Sequence, residues 1–138
     1  MTRVRIMFCL FFVGLISLGL SNNASAQNTK PFGDWAFTFF DQSPNTVAPV
    51  TLNVDGVVLQ GSKISNPDQP LGANTIRGKL KGKRTVGAVI TLPGGVEYVI
   101  VGEYFDVGLG SMVGVFERLE FFQPTGIYGI FYGSRVLQ

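Results

Sequence analysis

From residue 35 onward, short runs of Val, Ile, Phe, Tyr and Thr alternate with clusters of turn residues. The runs cover 35–40, 50–54, 57–62, 75–80, 85–91, 96–105, 111–119 and 127–137. Runs of this length and composition, bounded by Gly, Pro, Asn and Asp, read as strands. Asp55-Gly56 sits between the second and third runs and predicts a type I′ hairpin turn, which needs φ > 0 at both central residues. Pro93-Gly94-Gly95 and Pro124-Thr125-Gly126 predict two more turns. No helical period separates the runs, and short connections favour antiparallel neighbours. The expected fold is all-β, a single antiparallel up-and-down β-barrel of about eight strands. A two-sheet β-sandwich shares the same local signature. Gly78, Gly87, Gly102, Gly114, Gly129 and Gly133 fall inside runs and favour the barrel, because glycine lets a strand bend sharply.

The segment before these runs has a different pattern. Arg3 and Arg5 precede an apolar stretch over 6–20, and Ala24-Ser25-Ala26 follows. This order predicts a signal peptide over 1–26 and a barrel domain over 27–138. The apolar stretch is short of the ~20 residues a spanning helix needs, so no membrane span is expected after cleavage. The protein is expected to be secreted or periplasmic.

Removing the leader changes the charge. The whole chain has 11 Lys and Arg against 9 Asp and Glu, and two of the cations are Arg3 and Arg5. The remainder is formally neutral, which points away from nucleic acid as a partner. Cys9, the one cysteine, leaves with the leader, and the chain has no histidine. An exported domain without cysteine has no disulfide, so its core must hold it together. Cysteine nucleophiles, imidazole bases and ordinary zinc sites are excluded, and neither a metal nor a cofactor is expected. The balance favours a binding protein over an enzyme.

Gly33-Asp34-Trp35 opens the first run, and a Gly-x-Trp at that place resembles the calycin-like barrels, the avidins and lipocalins. The hairpin-like stretch from Leu52 through Asp55-Gly56 to Gly61 resembles the second avidin-type hairpin. The resemblance implies that Trp35 plugs one barrel end, with a basic side chain from a late strand packed over it. Arg135 is the candidate for that part. It also implies a binding function.

Candidate ligand contacts follow from side-chain chemistry. Tyr98 and Tyr104 share a face of their run, as do Tyr128 and Tyr132. A phenol supplies contact area and one polar handle, which suits a pocket wall. Asn53 and Ser134 are possible extra donors. The first expectation is a small, partly apolar or aromatic ligand held in the barrel mouth by these six residues. The alternative is a protein partner engaged through the loops, as by an inhibitor or adhesion module. A barrel enzyme working by shape, such as a cyclase, comes third. Arg77, Lys79 and Lys81 alternate on one face and read as a solvated outer stripe.

Overall fold

A computed structural model describes residues 29–44 and 47–137. The leader expected over 1–26 lies outside the described residues. Eight strands follow in order: β1 (Thr29–Asp41), β2 (Val50–Gln60), β3 (Lys63–Ser65), β4 (Thr75–Lys81), β5 (Thr85–Thr91), β6 (Val96–Phe105), β7 (Ser111–Glu120) and β8 (Gln123–Val136). Each pairs antiparallel with the next, and β8 returns to β1 through the register Asp34↔Val136 to Asp41↔Gly129. The sheet is therefore a closed barrel, not a sandwich. Closure pairs the first and last strands, while the short β3 covers only Val58–Gln60 of β2. Among the described residues, no helix is long and apolar enough to cross a membrane.

The alternation along each strand decides what faces inward. Trp35, Phe37 and Phe39 of β1 are buried, as are Val86, Ala88 and Ile90 of β5 and Met112 and Phe116 of β7. Their neighbours point outward, including the exposed Arg77 and Lys81 of the basic stripe. Curvature is concentrated at glycines. A Cβ at Gly78, Gly102, Gly114 or Gly129 would lie 2.0–2.2 Å from a carbonyl oxygen of the adjacent strand or segment, closer than any side chain tolerates. Glycine at these points permits the tight approach of a small barrel.

Two sequence expectations change. Asp55-Gly56 is not a hairpin turn. β2 runs straight through it, paired with β1 on both sides (Trp35↔Val54 and Gly33↔Val57) across a register shift. The Asp34 carboxylate accepts the Gly56 N–H at 2.7 Å and holds this irregularity in place. The chain reverses instead after Gln60, at Gly61-Ser62, with Gly61 at φ 62°. A three-residue β3 then supplies the strand that the split of β2 had accounted for. Likewise Pro124-Thr125-Gly126 lies within β8, and the preceding turn is Phe121-Phe122.

Candidate functional site

The aromatic side chains form one column through the barrel. At one end Trp35 is fully buried and its indole N–H donates to the Phe32 carbonyl at 2.9 Å. Ring centroids then step from Trp35 to Phe37 at 5.9 Å, to Phe131 at 6.2 Å and to Phe39 at 6.3 Å. Phe39 meets Tyr98 at 4.2 Å and Phe116 at 5.0 Å. These rings and the aliphatic side chains around them form the buried core of the barrel.

Arg135 closes the Trp35 end. Its guanidinium lies 5.1 Å from the Phe32 ring centroid and 5.6 Å from that of Trp35. Cations are attracted to ring faces at this range. Gly33 makes the crossing possible: it has φ 98°, and a Cβ there would sit 2.9 Å from Arg135 Cδ. Tyr104 packs on Phe32 at 5.1 Å, hydrogen-bonds Arg135 and donates to Asp106 Oδ1 at 3.3 Å. Burial raises the Tyr104 phenol above its ordinary 10.0, and the Asp106 charge adds to the shift.

The opposite end of the column lies at Tyr98 and Phe116. A recess of about 40 Å³ lies there between Phe39, Asp41, Val47, Tyr98, Phe116 and Arg118. Tyr98 and Arg118 are register partners on β6 and β7, so both side chains face the interior. Burial raises the Tyr98 phenol as well, with the Arg118 charge opposing the shift. Asp41 is occupied by its own loop: its carboxylate accepts the N–H of Ser43 at 2.8 Å and of Val47 at 2.6 Å. Its pKa lies below 3.8, because these bonds and that of the Ser43 hydroxyl outweigh the opposing effect of burial.

The rim of this end carries exposed aromatics. Phe121 and Phe122 form the two-residue β7–β8 turn, between the paired Glu120 and Gln123, at φ 49° and 65°. Both angles are left-handed, the geometry for which Asn-Gly is the favoured sequence. Bulky side chains there cost of order 1–3 kcal/mol each. The two rings are nevertheless 70% and 77% exposed. Phe121 N–H donates to Gly95 O at 3.0 Å, which ties the tip to the β5–β6 turn. Phe122 borders an outer groove of about 540 Å³ shared with Lys63, Asn66, Arg77, Thr91 and Glu97. In that groove Thr91 donates to Glu97 Oε2 at 3.2 Å, and Arg77 Nη2 lies 3.7 Å from the same oxygen.

The six residues expected to contact a ligand do not share one cavity. Tyr98 borders the mouth recess, and Tyr104 belongs to the closed end. Tyr128 and Tyr132 alternate with the inward Gly129, Phe131 and Gly133 and face outward; Tyr132 stands between Thr38 and Val113. Asn53 is exposed on the outer face, where its carbonyl accepts from Asn74 Nδ2 at 2.9 Å. Ser134 lies on the outer face between Ala36 and Ser111. Sequence reading missed Arg118, Phe121 and Phe122. Two adjacent phenylalanines before Gln-Pro, in a chain whose other tight turns carry glycine, were the available signal for the last two.

Compared with family models, with curated proteins and with solved structures, the chain matches none.

Proposed function

We propose that this chain is an exported, non-catalytic binding module of calycin-like form, and that it engages a protein partner through the mouth end of its barrel. One observation carries the reading. The aromatic column occupies the core, the recess beside it at the mouth measures about 40 Å³, and two phenylalanines in left-handed backbone stand exposed on the rim. A pocket that encloses a small organic ligand typically measures about 300–1,000 Å³. Strained, exposed aromatics are instead the material of interface anchors. The 540 Å³ groove beside Phe122 extends the same end into a surface large enough for a polypeptide. The calycin-like form is supported by the closed eight-strand barrel and by Arg135 over Trp35 behind Gly33.

The test is site-specific photo-crosslinking in cells that make the protein. A benzophenone side chain at position 122 should yield a discrete protein adduct. The same group at position 82, in the β4–β5 turn at the other end, should not. No adduct at 122, together with a small molecule retained in native mass spectrometry, would replace this reading with the small-ligand one.

A further inference from the structure

Arg118 occupies a position that packing alone does not explain. It lies opposite an irregularity of β8: β7 and β8 pair regularly to Glu117↔Tyr128 and resume at Leu119↔Pro124, so Thr125, Gly126 and Ile127 of β8 face Arg118 alone. Arg118 has no partner on β8. The Thr125 hydroxyl takes up the freed backbone, donating to Arg118 O at 2.9 Å while accepting Ile127 N–H at 3.2 Å. Along β7 the alternation runs unbroken from the inward Phe116 to Arg118, the register partner of Tyr98, so the strand's own period brings a cation to the mouth beside the β8 bulge.

The cation is not fully satisfied among the described residues. Arg118 Nε is buried with no hydrogen-bond acceptor among the described residues. An ion pair joins Arg77 and Glu97 on the outer face. Asp41, the acid that borders the recess, has its carboxylate bonded to the amides of Ser43 and Val47. The recess walls are otherwise Phe39, Tyr98, Phe116 and aliphatic carbons. A guanidinium partly removed from water needs an acceptor, and its fork geometry matches a carboxylate.

We infer that the mouth recess receives one carboxylate group of the bound partner, held by the Arg118 guanidinium and the Tyr98 hydroxyl. The size fits. A recess of about 40 Å³ takes a group little larger than one water, whose share of liquid volume is ~30 Å³. The carboxylate is either a chain terminus or an acidic side chain, and the remainder of the partner lies across the rim. This inference rests on the mouth-end reading above, and the experiment separates the two.

Three probes are titrated into labelled protein while the Arg118 Nε–H resonance is followed by NMR. N-acetylphenylalanine offers a terminal carboxylate, the α-amide of N-acetylaspartic acid offers a side-chain carboxylate, and phenylacetamide offers none. At least one carboxylate should shift the resonance saturably and phenylacetamide should not; the tighter carboxylate names the source. Arg118→Met should weaken the response, followed on neighbouring amides, by roughly tenfold or more, and Tyr98→Phe by less. Arg118→Lys keeps the charge without the fork and should fall between wild type and Arg118→Met. No saturable shift at tens of millimolar, an equal response to phenylacetamide, or an equal response to chloride overturns the assignment. A failed titration with the position-122 adduct retained sinks the carboxylate site alone. A successful titration without that adduct sinks the protein-partner reading alone.

Discussion

The two ends of the barrel use the same materials differently. At the closed end Arg135 is faced by the rings of Phe32 and Trp35, at 5.1 and 5.6 Å, and hydrogen-bonds Tyr104. At the mouth Arg118 lies beside Tyr98, Phe39 and Phe116 and borders a recess. Both Nε atoms are buried without an acceptor among the described residues. The difference is the surroundings. Two ring faces, a phenol and the space provided by Gly33 complete the environment of Arg135 within the chain. Among the described residues, Phe39, Tyr98 and Phe116 stand near Arg118 but leave a recess beside it. An arginine that the fold satisfies is part of a plug, whereas one that the fold leaves open is available to a partner.

The largest test of this contrast is at the plug. Trp35 has no exposed surface and anchors the aromatic column. Trp35→Ala should destabilise the protein by about 3–5 kcal/mol, through lost burial and the cavity left behind. That is a large share of the 5–15 kcal/mol typical of a whole domain. Urea unfolding measures it, and a midpoint shift equivalent to less than about 1 kcal/mol would show that the closed end is not the structural anchor.

At the rim the expected sign reverses. Replacing Phe121-Phe122 by Asn-Gly removes two bulky side chains from left-handed backbone. Stability should rise by about 1–2 kcal/mol, since such conformations cost about 1–3 kcal/mol each and some ring packing on Gly95 is lost. Thermal unfolding reads the gain, and crosslinking from position 120 should fall in the same variant. A loss of stability would mean that the rings serve the fold rather than a partner.

These ends also differ in how legible they were. The plug could be read from Gly33-Asp34-Trp35 because a buried tryptophan, a glycine and a late basic residue are marked in the sequence itself. The barrel was legible for a similar reason: the alternation of Trp35, Phe37 and Phe39 with Ala36 and Thr38 in β1 reports which face is buried. The mouth was not. Arg118 points inward at a barrel rim beside a bulge, and a bulge is a property of pairing between strands that no single run reveals. Asp55-Gly56 misled because the dipeptide favours left-handed backbone, which a strand irregularity uses as readily as a hairpin turn. The β7–β8 turn was displaced from Phe121-Phe122 to Pro124-Thr125-Gly126 because its residues run against turn preference.

Alkaline titration sharpens the comparison further. Burial raises both Tyr98 and Tyr104 above 10.0; Asp106 adds to the shift at the closed end, and Arg118 opposes it at the mouth. A phenol whose folded pKa exceeds its unfolded value contributes stability that is fully present below the unfolded value. That contribution is lost as pH rises through the folded one. The melting temperature should therefore hold up to about pH 9.5 and decline above pH 10, with Tyr104→Phe and Tyr98→Phe each making the decline shallower. In Arg118→Met the Tyr98 phenol should titrate at still higher pH, measured by absorbance at 295 nm. An unchanged Tyr98 titration would mean that the two side chains do not share the recess.

The smallest expected effect is the most discriminating. Arg118→Met removes a cation that has no acceptor for Nε among the described residues and leaves a flexible apolar chain of similar length against Phe39 and Phe116. Methionine fills irregular apolar space well. Replacing an uncompensated, partly buried charge by such a side chain is neutral or slightly stabilising, so urea unfolding should change by no more than about 0.5 kcal/mol in the destabilising direction. The same substitution at Arg135 removes a cation from two ring faces and should cost about 1–2 kcal/mol. The pair of variants compares like with like, since each exchanges an inward arginine at one barrel end for methionine. Equal losses would mean that both arginines serve the fold, and the division into plug and mouth would fail. A loss confined to Arg135 leaves Arg118 held in place for something the chain itself does not supply.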